Sequence, residues 1–330
     1  MSIYSATLPV LDRNLALEVV RVTESSALAA ARQTGRGDER AADQAACSAM
    51  QHALNGLAME GVIVNGEGDD PSQPLHTGEK VGNGKGPKVD IVLTALEGRS
   101  ICARGAHNAL SVVAMTEEGS FLKVPQHSYM EKIVVGAGLP AGLLDLDSTP
   151  EENLSRLAEA KGLTISELTV SVLDRPRHAE LIERLYAAGV RVTLFDDGDV
   201  SGALAAGLPG SGVDVYMGSG GAAQGVLAAA GLKCLGAQMQ CRLLCRSEAD
   251  HAAARRVGIG DTRRKWNIDD MVRGEVMFAA TGITDGHVLK GARLFPGNRA
   301  ESHSLVMRSA TGTIRHLSVQ HDLSRSHLPA

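Results

Sequence analysis

Residues 168–200 read LTVSVLDRPRHAELIERLYAAGVRVTLFDDGDV, and this stretch decides the fold. LTVSVLD is short, apolar and rich in β-branched residues, the mark of a strand. RHAELIERLYAAG follows with apolar residues at helical spacing and a terminal glycine, and VRVTLFDDGD is a second strand. The alternation continues through the helix SGALAAGL (201–208), the strand VDVYMGSG (213–220) and the helix AAQGVLAAAGLKCLGA (222–237). From about residue 165 the chain is therefore expected to form an α/β domain at the pace of βαβ units. Its strand ends carry DDGD (196–199) and GSGG (218–221), polar and glycine-rich termini of the kind at which open sheets hold ligands.

Upstream the rhythm is different. LALEVVRVTESSALAAARQ (15–33) is a helix closed by the glycines of TGRGD, and residues 41–59 form a second, with Ala42, Ala45, Ala46, Met50, Leu54 and Leu57 on one face. A short strand GVIVN, the loop GEGDDPSQP and a strand from Val89 come next. NALSVVAMTEEGSFLKVP reads as a hairpin about its Glu-Glu-Gly turn. This part is expected to be α+β. Beyond 237, a polar helical stretch over about 246–272 precedes EVMFAATGITDG and two strands, SHSLVMRS and TIRHLSV, and HDLSRSHLPA is expected to fray.

The 330 residues, 44% of them hydrophobic, suffice for two domains. With 33 basic and 38 acidic side chains interspersed, the net charge is −5, and nothing marks a nucleic-acid surface or a basic membrane face. Aromatics make up only 3%, which argues against base-stacking platforms. No apolar stretch approaches the ~18 residues of a membrane span, and the N-terminus lacks the basic and apolar regions of a secretory leader. Five cysteines scattered over the chain read as reduced intracellular thiols, those of CRLLC (241–245) as ordinary helix thiols. The cytoplasm is the expected compartment.

Two glycine clusters are candidates for holding an anion. VGNGKG (81–86) lacks Walker spacing and precedes its strand, so it is read as a turn, with an anion contact through Lys85 as the alternative. YMGSGGAAQG (216–225) follows a strand and opens a helix, where free backbone N–H groups accept a phosphate or simply close a tight turn. Asp43, Glu67, Asp69, Asp70, Glu97, Asp197 and Asp199 lie at or near element ends beside small residues. Each alone suits a cap or a solvated turn, but together they suit a hard divalent ion, which takes several oxygen ligands from converging loops. Arg177, His178 and Lys132 offer positive charge around a phosphate ester.

Taken in order, RVTESSALAAARQTGRGDERAADQAA, GVIVNGEGDD, TGEKVGNGKG, SYMEKIVVG, ELTVSVLDRPRH, FDDGDV, GSGGAAQG and FAATGITDG resemble the class II fructose-1,6-bisphosphatases, from about residue 14 to about 322. These belong to the metal-dependent sugar phosphatase superfamily. The resemblance implies a layered α/β sandwich with a metal-binding α+β domain (1–164), an α/β sugar-phosphate-binding domain (165–330) and the site between them. It implies hydrolysis of fructose 1,6-bisphosphate to fructose 6-phosphate and phosphate, with Mn2+ or Mg2+, in a homo-oligomer, dimer or tetramer, and no nucleic-acid or membrane partner.

Position by position, the resemblance makes Asp43, Glu67, Thr94, Glu97 and Gln224 the metal positions and Glu97 and Arg99 the catalytic ones. Substrate contacts fall on Glu97, Gly98, Arg99, Tyr129, Arg175, Pro176, Arg177, Asp197, Gly198, Asp199 and Gly221. The family's Asp-Pro-Ile-Glu-Gly-Thr motif lands on TALEGR (94–99), so Thr94 replaces a metal aspartate and Arg99 a threonine that positions water. Gln224 likewise replaces a metal glutamate, and Glu39 stands where relatives often carry lysine. A neutral ligand loses the Coulomb energy that offsets desolvation of the ion, so reduced metal occupancy is expected. Two readings follow: a working bisphosphatase, and a catalytically impaired paralogue that binds a sugar phosphate or serves as a non-catalytic partner subunit.

Overall fold

The computed structural model describes residues 13–325. The N-terminal stretch in which no secretory leader is expected and the last residues of the expected frayed tail lie outside that range. In chain order the elements are α1 (Arg13–Ala31), α2 (Glu39–Asn55), β1 (Glu60–Asn65), β2 (Lys80–Val81), β3 (Lys88–Glu97), α3 (Arg99–Arg104), β4 (Leu110–Glu117) and β5 (Tyr129–Val135). Next come α4 (Pro150–Lys161), β6 (Thr169–Leu173), α5 (Ala179–Ala187), β7 (Arg191–Phe195), α6 (Asp199–Gly207), β8 (Val215–Gly221), α7 (Ala222–Leu235) and β9 (Gln238–Leu244). The chain continues with α8 (Glu248–Arg256), β10 (Trp266–Asn267), α9 (Ile268–Met271), β11 (Met277–Gly282), β12 (Arg293–Phe295), β13 (Arg299–Arg308) and β14 (Thr313–Asp322).

The strands form two mixed sheets, an α+β arrangement. The larger runs β12-β13-β11-β4-β3-β1-β2 with β14 paired to β13, and the smaller runs β10-β9-β5-β8-β6-β7. In the smaller sheet β6 lies parallel to both β7 and β8, as the βαβ pattern of 168–221 requires. β5 then pairs antiparallel with β8 and β9. The larger sheet draws on both ends of the chain, since β11 hydrogen-bonds antiparallel to β4 from the first half.

Each strand face buries a different helix set. On β3, Ile91 and Leu93 join the core formed with α1 and α2, while the intervening Val92 joins the core that contains α6 and α7. That alternation is the period-two geometry of a strand buried on both sides. α7 is apolar around its circumference and buried for most of its length, as a helix enclosed on all sides must be. Gly231 allows this packing, because a Cβ there would stand 2.7 Å from Leu204 Cδ2 and 3.0 Å from the ring of Phe278. α4 and α5 cover the remaining face of the smaller sheet through Leu154, Leu157 and Leu185.

Local chemistry sets the element ends. Asp38 caps α2 by accepting from the Ala41 N–H at 2.9 Å, and Thr149 and Glu152 close a capping box on α4. No helix of the described residues is long and apolar enough to cross a membrane.

Four expectations need correction. The hairpin about Glu117–Gly119 does not form; β4 pairs with β3 and β11, and Phe121 makes an isolated bridge to Val272 instead. CRLLC is not helical: Cys241 lies in β9, whose QMQCRLL buries every second residue, a period of two that five residues are too few to reveal. The stretch 246–272 is not one helix but α8, β10 and α9, and the first residues of the tail expected to fray are in a strand, His321 and Asp322 pairing with Ala300 and Arg299 in β14.

Phe278 is fully buried between the sheets. Phe278→Ala should lower unfolding free energy by about 3–5 kcal/mol, the usual cost of emptying an aromatic core site, read as a lower urea midpoint at unchanged m-value.

Candidate active site

The site is built where β3 ends. Its pairing with β4 breaks register between Thr94 and Glu97, which turns the strand out of the ladder. Gly98 then adopts φ +82°, a left-handed conformation, and a Cβ there would lie 2.6 Å from Ile101. Arg99 opens α3 immediately afterwards. Within six residues the chain thus presents Thr94, Glu97 and Arg99 to one cleft of about 420 Å³.

Glu67, in the loop after β1, faces the same cleft. Its Oε1 accepts from the Ala95 N–H at 2.6 Å and the Thr94 hydroxyl at 3.2 Å, and its Oε2 accepts from Arg99 Nη2 at 2.8 Å. Asp43, on α2, accepts from Arg99 Nε at 2.8 Å. Cys47, one turn along α2, completes a group with Asp43 and Glu67 whose ligand atoms lie within 4.8 Å of one another. Burial pushes the Asp43 carboxyl up to about 6, opposed by the Arg99 charge and assisted by Glu67. Burial likewise raises the Cys47 thiol.

Glu97 is held differently. Its two oxygens accept from the Val200 N–H at 2.6 Å and the Ser201 N–H at 3.1 Å, in the first turn of α6. Full burial pushes its carboxyl up to about 8, against the pull of those backbone donors. Both oxygens are therefore engaged by the smaller sheet's helix and turned from the Asp43–Glu67 pair.

The opposite wall is cationic. Arg177 donates to the Ser219 carbonyl, at 2.8 Å from Nη2, and lies 5.3 Å over the Tyr129 ring. Arg175 pairs with Asp197 at 3.5 Å, and the Ser100 hydroxyl reaches the other oxygen of Asp197 at 3.4 Å. Gly220, Gly221 and Gln224, at the β8–α7 junction, complete this wall. His178 is buried behind it, donating from Nδ1 to the Leu173 carbonyl at 2.7 Å and accepting at Nε2 from the Ser219 N–H at 2.9 Å. Burial lowers its basicity, and the two bonds fix a neutral ring.

Several of the expected positions thus gather in one cleft: Glu67, Thr94, Glu97, Gly98, Arg99, Tyr129, Arg175, Arg177, Asp197, Asp199, Gly221 and Gln224, with Glu39 at its edge. Asp43 reaches the group through Arg99, and Pro176 and Gly198 shape the adjoining turns. Others do not join. Asp70 bonds its own loop through Ser72, Asp69 is exposed, and the glycine turn around Lys85 lines a separate depression beside β2. Lys132 is buried and paired with Asp199, which also accepts from the Tyr216 hydroxyl at 2.5 Å, so its charge is spent inside the protein. Sequence reasoning passed over Cys47, although its spacing of four from Asp43 on a helix was the available signal, and over Ser219 and the α6 N–H groups, for which no local signal exists.

The family model for bacterial fructose-1,6-bisphosphatase, glpX-encoded, matches residues 13–321. A fructose-1,6-bisphosphatase class 2 of Haemophilus influenzae is 41% identical over 327 residues, covering 95% of this chain and 97% of that relative. A D-fructose 1,6-bisphosphatase class 2/sedoheptulose 1,7-bisphosphatase of Synechococcus sp. (strain JA-3-3Ab) is 39% identical over 337 residues, covering 94% and 96%. A cleft that sets carboxylates against arginines and a glycine-rich helix start accords with these matches, and the chain belongs to the glpX-encoded bacterial fructose-1,6-bisphosphatase family.

Proposed function

We propose that this protein hydrolyses fructose 1,6-bisphosphate to fructose 6-phosphate and phosphate, as a cytoplasmic homo-oligomer with the packed sheets and helices forming the family's layered sandwich. One observation carries the reading: the carboxylates of Glu67 and Glu97 share a single cleft with Arg175, Arg177 and the N-terminus of α7, and Arg99 bridges Glu67 to Asp43 beside it. Arg177 and the Gly221 backbone receive one phosphate, since guanidinium and helix N–H groups both match its oxygens. Tyr129, beneath Arg177, flanks the sugar, and Asp197 accepts a hydroxyl. Asp199, committed to Lys132 and Tyr216, holds that wall in place.

A divalent ion, Mn2+ or Mg2+, supplies in such a site positive charge for the phosphoryl oxygens and an activated water. Asp43 and Glu67 are the converging oxygen ligands for it, beside the Cys47 thiol, yet Arg99 is bonded to both carboxylates and Thr94 donates to Glu67 rather than lending it a second charge. The donor set fits an ion only with Arg99 withdrawn. This single feature favours the second reading, a member that binds the sugar phosphate, or acts as a partner subunit, with little turnover.

Phosphate release from fructose 1,6-bisphosphate with Mn2+ or Mg2+ separates the two. The phosphatase reading expects release that disappears in Glu67→Gln, and release no higher than in that variant rules it out. Binding by calorimetry without release leaves the second reading standing, and no binding at millimolar ligand removes both. The triple variant Thr94→Asp, Arg99→Thr, Gln224→Glu should raise turnover by about 100-fold, the scale of one lost charge-stabilising group at a transition state.

The neutral His178 gives a further check. Its folded-state pKa is lowered, so the unfolded chain binds the proton more readily, and the stability it contributes is present above an unfolded pKa of about 6.5 and lost as pH falls below it. A protonated Nε2 would turn an N–H toward the Ser219 N–H. Thermal unfolding between pH 7.5 and 5.5 should therefore show a steeper loss of Tm in the wild type than in His178→Gln, and equal slopes would refute this role for the ring.

A further inference from the structure

We infer that Arg99 is a resident cation of the metal site, and that its guanidinium and a divalent ion exclude one another there. The inference rests on the reading of this cleft as the family's metal and phosphate site and concerns what governs entry of the ion.

Three separate segments meet at this guanidinium. It starts from the first residue of α3, and its Nε and Nη2 stand 2.8 Å from Asp43 Oδ1 on α2 and 2.8 Å from Glu67 Oε2 in the loop after β1. A divalent ion would need those same oxygens at about 2.0–2.6 Å, which leaves no room for a donated N–H between. Nor does Glu67 have an idle oxygen, because Oε1 already accepts from Ala95 and Thr94. Glu97, which the end of β3 also presents to the cleft, is tied to Val200 and Ser201.

The charges lead to the same conclusion. Asp43 and Glu67 together carry two negative charges when ionised, and Arg99 cancels one, so an arriving ion meets a site of single rather than double negative charge. Thr94 and Gln224 contribute none. With the guanidinium in place the pair is a satisfied, bridged structure; with it removed, two carboxylates face each other and favour a cation.

Arg99 can leave. Its side chain is 45% exposed and belongs to the same cleft as Arg175 and Arg177, so an entering phosphate competes with Asp43 and Glu67 for its donors. Guanidinium binds phosphate oxygens in the same forked geometry it uses for carboxylates. Each phosphate that takes Arg99 uncovers the acidic pair. Phosphate and metal are thereby linked, each raising the affinity for the other, as any pair of ligands must that share one two-state element.

The test uses Mn2+ alone, with free ion followed by its solution EPR signal. Arg99→Thr should bind Mn2+ at least about tenfold more tightly than the wild type, a gain of ~1.4 kcal/mol, and Arg99→Thr/Glu67→Gln should lose the gain. An Arg99→Thr affinity equal to that of the wild type overturns the inference, as does a gain that survives Glu67→Gln. Should Arg99→Thr not fold, Arg99→Gln serves with the same two criteria, since it keeps a polar, unbranched side chain and removes the charge. No sugar enters the measurement, so its failure is distinct from failure of the functional reading, which would appear as absence of sugar-bisphosphate binding and phosphate release.

Discussion

The site depends on how β3 ends. This strand is buried over all but its first residue, with one face on the α1–α2 core and the other on the α6–α7 core. Such a strand has little freedom to shift, because a slip of one residue would exchange the two faces. The register break between Thr94 and Glu97 is therefore an anchored bend, and Gly98 in the left-handed region converts it directly into α3. Thr94, Glu97 and Arg99 inherit their directions from that bend. Glu97 reaches across to the N–H groups of α6, and Arg99 turns back to α2, so the same few residues tie the larger sheet to the helix above the smaller one.

Charge arrangement follows from this geometry. On one side Asp43 and Glu67 are brought together by α2 and by the loop after β1, and burial penalises the ionisation of Asp43. A positive charge between two such neighbouring carboxylates offsets their mutual repulsion. In this chain Arg99 does so, covalently tethered and always present. On the other side Arg175 and Arg177 are restrained by Asp197 and by Ser219, which keeps their guanidinium groups aimed along the wall of the cleft rather than into solvent. The cleft therefore has a fixed cationic wall and an acidic corner already neutralised from within.

Much of the fold was legible because its signals are local. LTVSVLDRPRHAELIERLYAAGVRVTLFDD carries strand, helix and strand in one continuous pattern, and β6, α5 and β7 occupy those residues with β6 parallel to β7. The hairpin expected about Glu117 failed because antiparallel pairing is decided by which strands compete for an edge: β11, over 150 residues away, supplies the partner for β4. CRLLC misled for a related reason, as its five residues fit a helix and a strand equally until β5 pairs with it. At the site, the grouping of Glu67, Thr94, Glu97, Tyr129, Arg175 and Arg177 followed the resemblance. The bond of Arg99 to both Asp43 and Glu67 was not legible, since it joins residues 56 and 32 positions apart through side chains alone.

Binding and turnover place different demands on such a cleft. Binding a sugar bisphosphate asks for positive charge and shape, and the proposed reading assigns that demand to Arg175, Arg177 and the α7 N-terminus whatever fills the acidic corner. Turnover asks in addition for a water activated and aligned with the leaving oxygen. A guanidinium can neutralise phosphate oxygens, but it is a donor only and stays protonated, so it neither polarises a bound water as a metal ion does nor accepts its proton. Substituting arginine for threonine next to Gly98 thus changes the chemistry of the corner without disturbing the bend that positions it, because Arg99 begins α3 with its side chain outside both cores. The arginine wall is separable from the acidic corner on physical grounds, and under the proposed function Arg99 sets the balance between holding a phosphate ester and cleaving it.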